Sequence, residues 1–293
     1  MWPLVFRRRD RHLGTTGINA CHIVPGPGYS WQRFGGFRLP AFRYYGFHVK
    51  IEILQLIPLT SGRYMNETSS SAAHAAPLSG TDRTRLRRLK ENGRTERSDL
   101  HDVLAAGFLC HLGVVVDGAP MVVPTVYGAT ADTLYLHGSV ASRSLVASPE
   151  ATVCVTVTHV DGLVLARSVF EHSVNYRCAM VYGVPRVVSD AEERLEGLRV
   201  LTEQAAPGQW DYARRPDRKE LAATVLLALD LAEASVKISA GPPEDGDGPD
   251  AALGLWAGEL PLRATWGDPF PDPALPPGID VPPHIATRTG TRA

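Results

Sequence analysis

Thr133-Leu134-Tyr135-Leu136-His137-Gly138-Ser139-Val140-Ala141-Ser142-Arg143-Ser144-Leu145 decides the reading of this chain, because an alternating strand runs straight into a glycine, three hydroxyls and an arginine. The alternation places Leu134 and Leu136 on one face and Tyr135 and His137 on the other. Gly138, lacking a Cβ, lets backbone N–H groups approach an anion closely. Ser139, Ser142 and Ser144 add donors, and the planar guanidinium of Arg143 matches a phosphate. By composition this is an anion cradle. The same residues also fit a strand end, a tight turn and a solvated arginine, and the stretch alone does not choose between the two.

Its neighbours set the fold class. Upstream, Phe108–Val116 and Pro120–Tyr127 are β-rich runs separated by Asp117-Gly118, a favoured two-residue hairpin turn. Downstream, Thr152–Thr158, Leu163–Ser168, Cys178–Val188, Thr224–Leu231 and Ser235–Ile238 read as further strands, with Asp161-Gly162 as a second turn. The regular spacing predicts a mainly β, α+β domain built on an antiparallel barrel. One flanking helix is expected from a Ser98 cap through Ala106, burying Leu100, Val103 and Leu104. A second, Asp190–Gln204, has Leu195, Leu198 and Leu201 at helical spacing and packs outside the sheet. Residues 241–252 read as a surface loop.

Composition bounds the rest. With 293 residues, 44% hydrophobic and 21% charged, the chain can build one sizeable core with extensions. A net charge of -1 argues against generic nucleic-acid binding. Residues 1–64 nonetheless hold nine Lys/Arg against two Asp/Glu, leaving 21 against 29 for the remainder. They carry half of the 22 aromatics without helical or strand patterning, so they are expected to lie outside the folded domain. In that segment Leu4, Val5 and Phe6 precede the arginines, the wrong order for a secretory signal. Met65 is read as the native start, 65–82 as a flexible N-terminus, 83–265 as the domain and 266–293 as a proline-rich flexible tail. Cys21, Cys110, Cys154 and Cys178 form no CxxC pair and have no metal-ligand spacing, which suits reduced thiols in a cytoplasmic protein and no metal site. No apolar run approaches the roughly 20 residues of a membrane span.

A second informative segment, Ala166-Arg167-Ser168-Val169-Phe170-Glu171-His172-Ser173-Val174-Asn175-Tyr176-Arg177, is longer and more polar than a turn between strands requires. Asn175 and Arg177 alternate onto one face, within reach of a polar heterocycle's edge. Ordinary edge-strand polarity gives the same pattern. Glu171 and His172 point to opposite faces, so they form no dyad, and His172 is read as structural.

Taken together and in order, Pro124-Thr125-Val126-Tyr127, Leu134-Tyr135-Leu136-His137-Gly138-Ser139, Ala141-Ser142-Arg143 and His172-Ser173-Val174-Asn175-Tyr176-Arg177 resemble the pyridoxamine 5′-phosphate oxidase-related, FMN-binding split-barrel family, and within it the nitroimidazole-resistance-type branch. The resemblance spans roughly 83–262. It implies that the backbone of Pro124, Thr125, Val126 and Tyr127 borders the isoalloxazine, and that His137, Gly138, Ser139, Ser142, Arg143 and Ser144 hold the ribityl phosphate. Asn175, Tyr176 and Arg177 would meet the flavin from the opposite side, where family members often use a neighbouring subunit. Trp256 resembles an aromatic position near the cofactor and equally fits a core tryptophan. His137 is the candidate proton donor. A homodimer is implied, with Val153, Val155 and Val181 or their neighbours at its interface. The cofactor would be FMN and the partners a small-molecule substrate and a nicotinamide donor, in an oxidoreductase acting on a small compound such as a nitroaromatic. The alternative is a flavin- or haem-binding module without turnover. Two departures stand out. The Arg-x-His pair of true pyridoxamine phosphate oxidases is missing, since Ala264 and Thr265 follow Arg263, and Ser239 occupies the arginine position of a Lys-x-Arg-x-Gly-Pro-Pro pattern at 237–243.

Overall fold

The computed structural model describes residues 31–34, 37–40, 77–78 and 80–293. The chain divides into two units, Trp2–Arg63 and Tyr64–Ala293. In the first, β1 (Trp31–Phe34) and β2 (Phe37–Pro40) pair antiparallel. The other readings made for 1–64, and those for 65–76, lie outside the described residues.

The second unit is one antiparallel sheet that curls around a core. Its strands are β3 (Gly93–Arg94), β4 (Leu109–Val116), β5 (Ala119–Ala129), β6 (Thr133–Ser139), β7 (Val153–Leu165), β8 (Ser173–Gly183), β9 (Arg186–Val187), β10 (Thr224–Asp230), β11 (Ala234–Ser239) and β12 (Gly258–Pro261). They lie in the order β3-β11-β8-β7-β4-β5-β6-β10-β9, with β12 added to the far half of β7. This is the split-barrel, α+β architecture expected. The Asp117-Gly118 turn closes the β4–β5 hairpin with φ of 52° and 75°, the left-handed pair that a right-twisted hairpin requires.

Alternation sorts the side chains. Leu112, Val114, Leu134, Leu136, Val153, Val155, Val157, Ala179 and Val181 face inward with Leu100, Val103 and Leu104 of helix α1 (Arg97–Ala105). Helix α2 (Arg143–Ala147) adds Leu145 to the same core. Outside the sheet, helix α3 (Ala191–Ala205) covers Tyr135, Leu226 and Ala228 with Val200 and Leu201, while Asp190 caps it by accepting from the Glu193 N–H at 2.8 Å. Leu195 stays 40% exposed, because the buried stripe runs through Gly197, Val200 and Leu201. Among the described residues no helix is long and apolar enough to cross a membrane.

Several expectations are corrected. Asp161-Gly162 is no turn: β7 runs through it as a single 13-residue strand with a bulge between Val160 and Gly162. The glycine is needed there because a Cβ would sit 2.8 Å from the Leu260 carbonyl oxygen of β12. Val153, Val155 and Val181 cannot form an interface, since their parity buries them inside the barrel. Helix α1 starts at Arg97, one residue before its expected cap. Leu78, placed by composition in the flexible stretch, is buried in the inner core. The proline-rich segment after 265 is not free either. Trp266 stacks on Phe108 at 5.9 Å, the Arg288 guanidinium lies 4.2 Å over the Trp266 ring, and Arg292 pairs with Asp161 at 2.6 Å. His284, which bonds Gln209 at 2.9 Å, joins this tryptophan and these two arginines in tying the segment down.

Candidate functional site

The sheet splits where the first motif lies. The ladder between β5 and β6 ends at the Tyr127–Leu136 pair. Beyond it, among the described residues, β5 keeps only β4 and β6 keeps only β10. The edges carrying Pro124, Thr125 and Val126 on one side and His137, Gly138 and Ser139 on the other therefore face a common gap, with Ser142, Arg143 and Ser144 opening α2 beside it. A Cβ added at Gly138 would meet Leu145 Cδ1 at 2.6 Å, so any larger residue requires the Leu145 side chain to shift. The buried Tyr127 hydroxyl donates to the Leu104 carbonyl at 2.6 Å, so its side chain anchors α1 and leaves only backbone to border a ligand.

Two side chains at the gap are chemically underused. His137 Nδ1 is buried and has no hydrogen-bond partner among the described residues, and burial holds the imidazole below its ordinary pKa, keeping it neutral. Arg143 pairs with Asp117 at 2.6 Å, but the two side chains are 68% and 81% exposed, so little holds the guanidinium there. Ser142 and Ser144 lie 3.2 Å apart, hydroxyl to hydroxyl, and the Ser139 hydroxyl accepts from the Ala141 N–H.

The second motif lies elsewhere in the same chain. Arg177 is opposite His159 and Gly113 is opposite Cys154, with the Asp117 turn four residues further on. The turn is thus roughly nine residue steps, on the order of 30 Å along the strands, from Arg177, whereas Pro124 pairs with His111 opposite Thr156, three residues along β7 from His159. Asn175 and Arg177 share a face, as the alternation predicts, while Tyr176 points the other way. Asn175 is buried and donates through Nδ2 to Glu259 at 2.7 Å and to the Gly241 carbonyl at 3.1 Å. The Arg177 fork donates to both oxygens of Asp161, at 2.8 and 3.0 Å. This bidentate bond chiefly holds the Asp161 carboxyl below its ordinary pKa. Asn175 and Arg177 line a cavity of about 390 Å³ with Asp161, Glu259, Arg263 and Arg292. Trp256 is 69% exposed in the loop before β12, so it is no core residue.

Sequence reasoning missed Asp161, Glu259 and Arg292. Asp161 was read as a turn residue because a bulge and a turn share the same Asp-Gly signature. Glu259 and Arg292 lie on segments without strand or helix periodicity, and nothing local marks them.

The outer face of β8, β7, β4 and β5 is a further feature. None of its outward side chains is Asp, Glu, Lys or Arg, and Leu109, Val115 and Val122 are about half exposed or more.

Comparison with known proteins places the chain. The sequence profile of the pyridoxamine 5′-phosphate oxidase family matches residues 96–238. The structure is similar to the flavocytochrome Anf3 of Azotobacter vinelandii, with 36% identity and a TM-score of 0.69 over 73% of this chain and 100% of that one. It is also similar to the FAD and heme binding protein of Mycobacterium smegmatis, with 40% identity and a TM-score of 0.65 over 68% of this chain and 98% of that one. No curated protein sequence matches. These identities, the matched profile and the curled antiparallel sheet make this chain a member of the pyridoxamine 5′-phosphate oxidase-related family of flavin-binding split-barrel proteins.

Proposed function

We propose that the chain binds a flavin, FMN in the simplest case, and acts as an oxidoreductase that passes electrons from a nicotinamide donor to a small compound, nitroaromatics included. The observation that carries this reading is the gap between β5 and β6. Its edges and the start of α2 beside it carry an imidazole nitrogen that is buried and unpartnered among the described residues, a glycine set against Leu145, serine hydroxyls and a weakly held arginine. These groups fit a phosphorylated, hydrogen-bonding heterocycle. Arg143 with Ser139, Ser142 and Ser144 would hold the phosphate, while the backbone of Pro124–Tyr127 would border the ring. A bound flavin would supply the hydride and single-electron chemistry, and the protein orientation, charge and access. His137, kept neutral by burial, is available as a hydrogen-bond partner beside the ring. Vitamin B6 oxidation is disfavoured, because nothing replaces the missing Arg-x-His pair.

A homodimer belongs to the proposal. The phosphate end of the site, Arg143 at the Asp117 turn, lies on the order of 30 Å along the strands from Arg177, so Asn175, Tyr176 and Arg177 would serve the flavin of a neighbouring subunit. The outer face of β8, β7, β4 and β5, whose strands present no charged side chain and whose border carries Arg83, is the surface suited to a second copy. The localisation that goes with reduced thiols is the cytoplasm.

A second reading, a flavin- and haem-binding electron carrier, is favoured by the names of the two relatives, a flavocytochrome and an FAD and heme binding protein. Among the described histidines His101, His159, His172 and His284 each use a ring nitrogen in a hydrogen bond, leaving His111 and His137 uncommitted. His111 lies on the outer face and would be the candidate axial ligand. Anaerobic mixing of the purified protein with NADH or NADPH and a nitroaromatic separates the readings. Donor-dependent, catalytic consumption of the acceptor supports the oxidoreductase. A Soret band lost in His111→Ala, without turnover, supports the carrier.

A further inference from the structure

The segment after β12 ends against Arg177, lining a cavity with it through Arg292 and Ala293. Asp161 accepts from three N–H groups of two arginines: Arg177 Nε and Nη2, at 2.8 and 3.0 Å, and Arg292 Nη2, at 2.6 Å. The carboxylate is three-quarters buried and the Arg177 side chain equally so, whereas Arg292 is 62% exposed. Arg177 and Arg292 line both the cavity of about 390 Å³ and a neighbouring one of about 300 Å³ beside Gly107, Phe108 and Gln204. The two guanidiniums, bridged by one carboxylate, are thus shared by both cavities. Arg292 is held in place by its own segment, since the Trp266 N–H donates to the Thr291 carbonyl at 3.0 Å and the Gly290 N–H donates to the Trp266 carbonyl at 2.8 Å.

We propose that Asp161 and Arg292 are positioning residues for Arg177, and that the segment 266–293 is part of the flavin site. Asp161 fixes the plane of the Arg177 guanidinium and offsets its charge, and Arg292 draws on the same carboxylate and so sets how much of that offset remains. The arrangement carries a net charge of one positive unit, two arginines against one aspartate. This inference rests on the reading that Arg177 faces the flavin. Because charge near a flavin shifts the balance between its oxidised and anionic reduced forms, the two supporting residues have opposite signatures.

The test is the flavin midpoint potential of the full-length, flavin-loaded protein and its variants. Asp161→Asn removes a negative charge and is expected to shift the potential positive. Arg292→Gln removes a positive charge from an exposed position and is expected to shift it negative, and Arg292→Lys restores it. Arg177→Gln is expected to shift it negative by more than Arg292→Gln. A merely structural role for Asp161 and Arg292 predicts shifts of the same sign, or none. Should Arg177→Gln move the potential while the other two leave it unchanged or move it together, the proposal is overturned and the flavin reading stands. Should Arg177→Gln leave it unchanged, both the placement of Arg177 and the proposal fall. If Asp161→Asn does not fold, the Arg292 pair decides: a shift with Gln and none with Lys supports the proposal, and no shift with Gln refutes it.

Discussion

Replacing Arg143 with alanine isolates the phosphate end of the proposed site. Among the described residues the guanidinium bonds only Asp117, and both side chains are more than two-thirds exposed. An exposed pair of this kind contributes about 0–1 kcal/mol, so the thermal stability of the variant is expected to stay close to wild type. A charge-assisted bond to a phosphate is worth about 1.5–3 kcal/mol. At about 1.4 kcal/mol per tenfold, its loss weakens FMN binding by roughly 10- to 150-fold. Fluorescence titration of the apoprotein with FMN reads this directly. Riboflavin, which has the same ring and no phosphate, provides the internal control, and its affinity is expected to be unchanged. Asp117→Asn removes the competitor for the guanidinium, so FMN binding should hold or tighten. An unchanged FMN affinity in Arg143→Ala, or an equal loss for riboflavin, would refute the reasoning and move the phosphate site away from α2.

Tyr127→Phe removes a buried hydroxyl, but the Leu104 carbonyl keeps its bond from Gln204 Nε2 at 2.9 Å. The cost measured by urea denaturation should therefore be only about 0.5–1.5 kcal/mol. Gly128→Ala should be worse: its Cβ would lie 2.7 Å from the Leu201 backbone, which pushes α3 off the sheet and costs about 1–3 kcal/mol or more by the same measurement. His137 is buried neutral, so its folded pKa lies below the unfolded 6.5 and the unfolded chain binds more protons as pH falls. The stability it contributes is complete above pH 6.5 and lost below it, and urea midpoints of His137→Leu on either side of that pH should differ less than those of wild type. Thr156→Arg places a charge in the middle of the outer face and should yield a folded monomer by light scattering. A persisting dimer would put the interface elsewhere.

The fold was largely legible because its strongest signals are local. Asp117-Gly118 specifies a hairpin by backbone sterics alone, and Asp190 followed by Glu193 marks the start of α3. Parity was harder. Tyr135 faces away from the inner core and is nonetheless buried, because α3 covers it, so alternation cannot distinguish a solvent face from a second core. The same ambiguity put Val153, Val155 and Val181 at an interface when they lie inside. The first motif was legible as a set, since Pro124–Val126 and His137–Ser139 line one gap. The second was legible only in part. Asn175 and Arg177 share a face, but their partners Glu259, Asp161 and Arg292 come from a late strand, a bulge and the end of the chain. No periodicity links such distant positions, and only the folded chain brings them together.

The absorption spectrum of the purified protein, before and after acid release of any chromophore and re-addition of FMN, tests the central claim most directly. A two-banded flavin spectrum, a released flavin and stoichiometric FMN uptake by the wild-type apoprotein are expected. A colourless protein that takes up no flavin would contradict it.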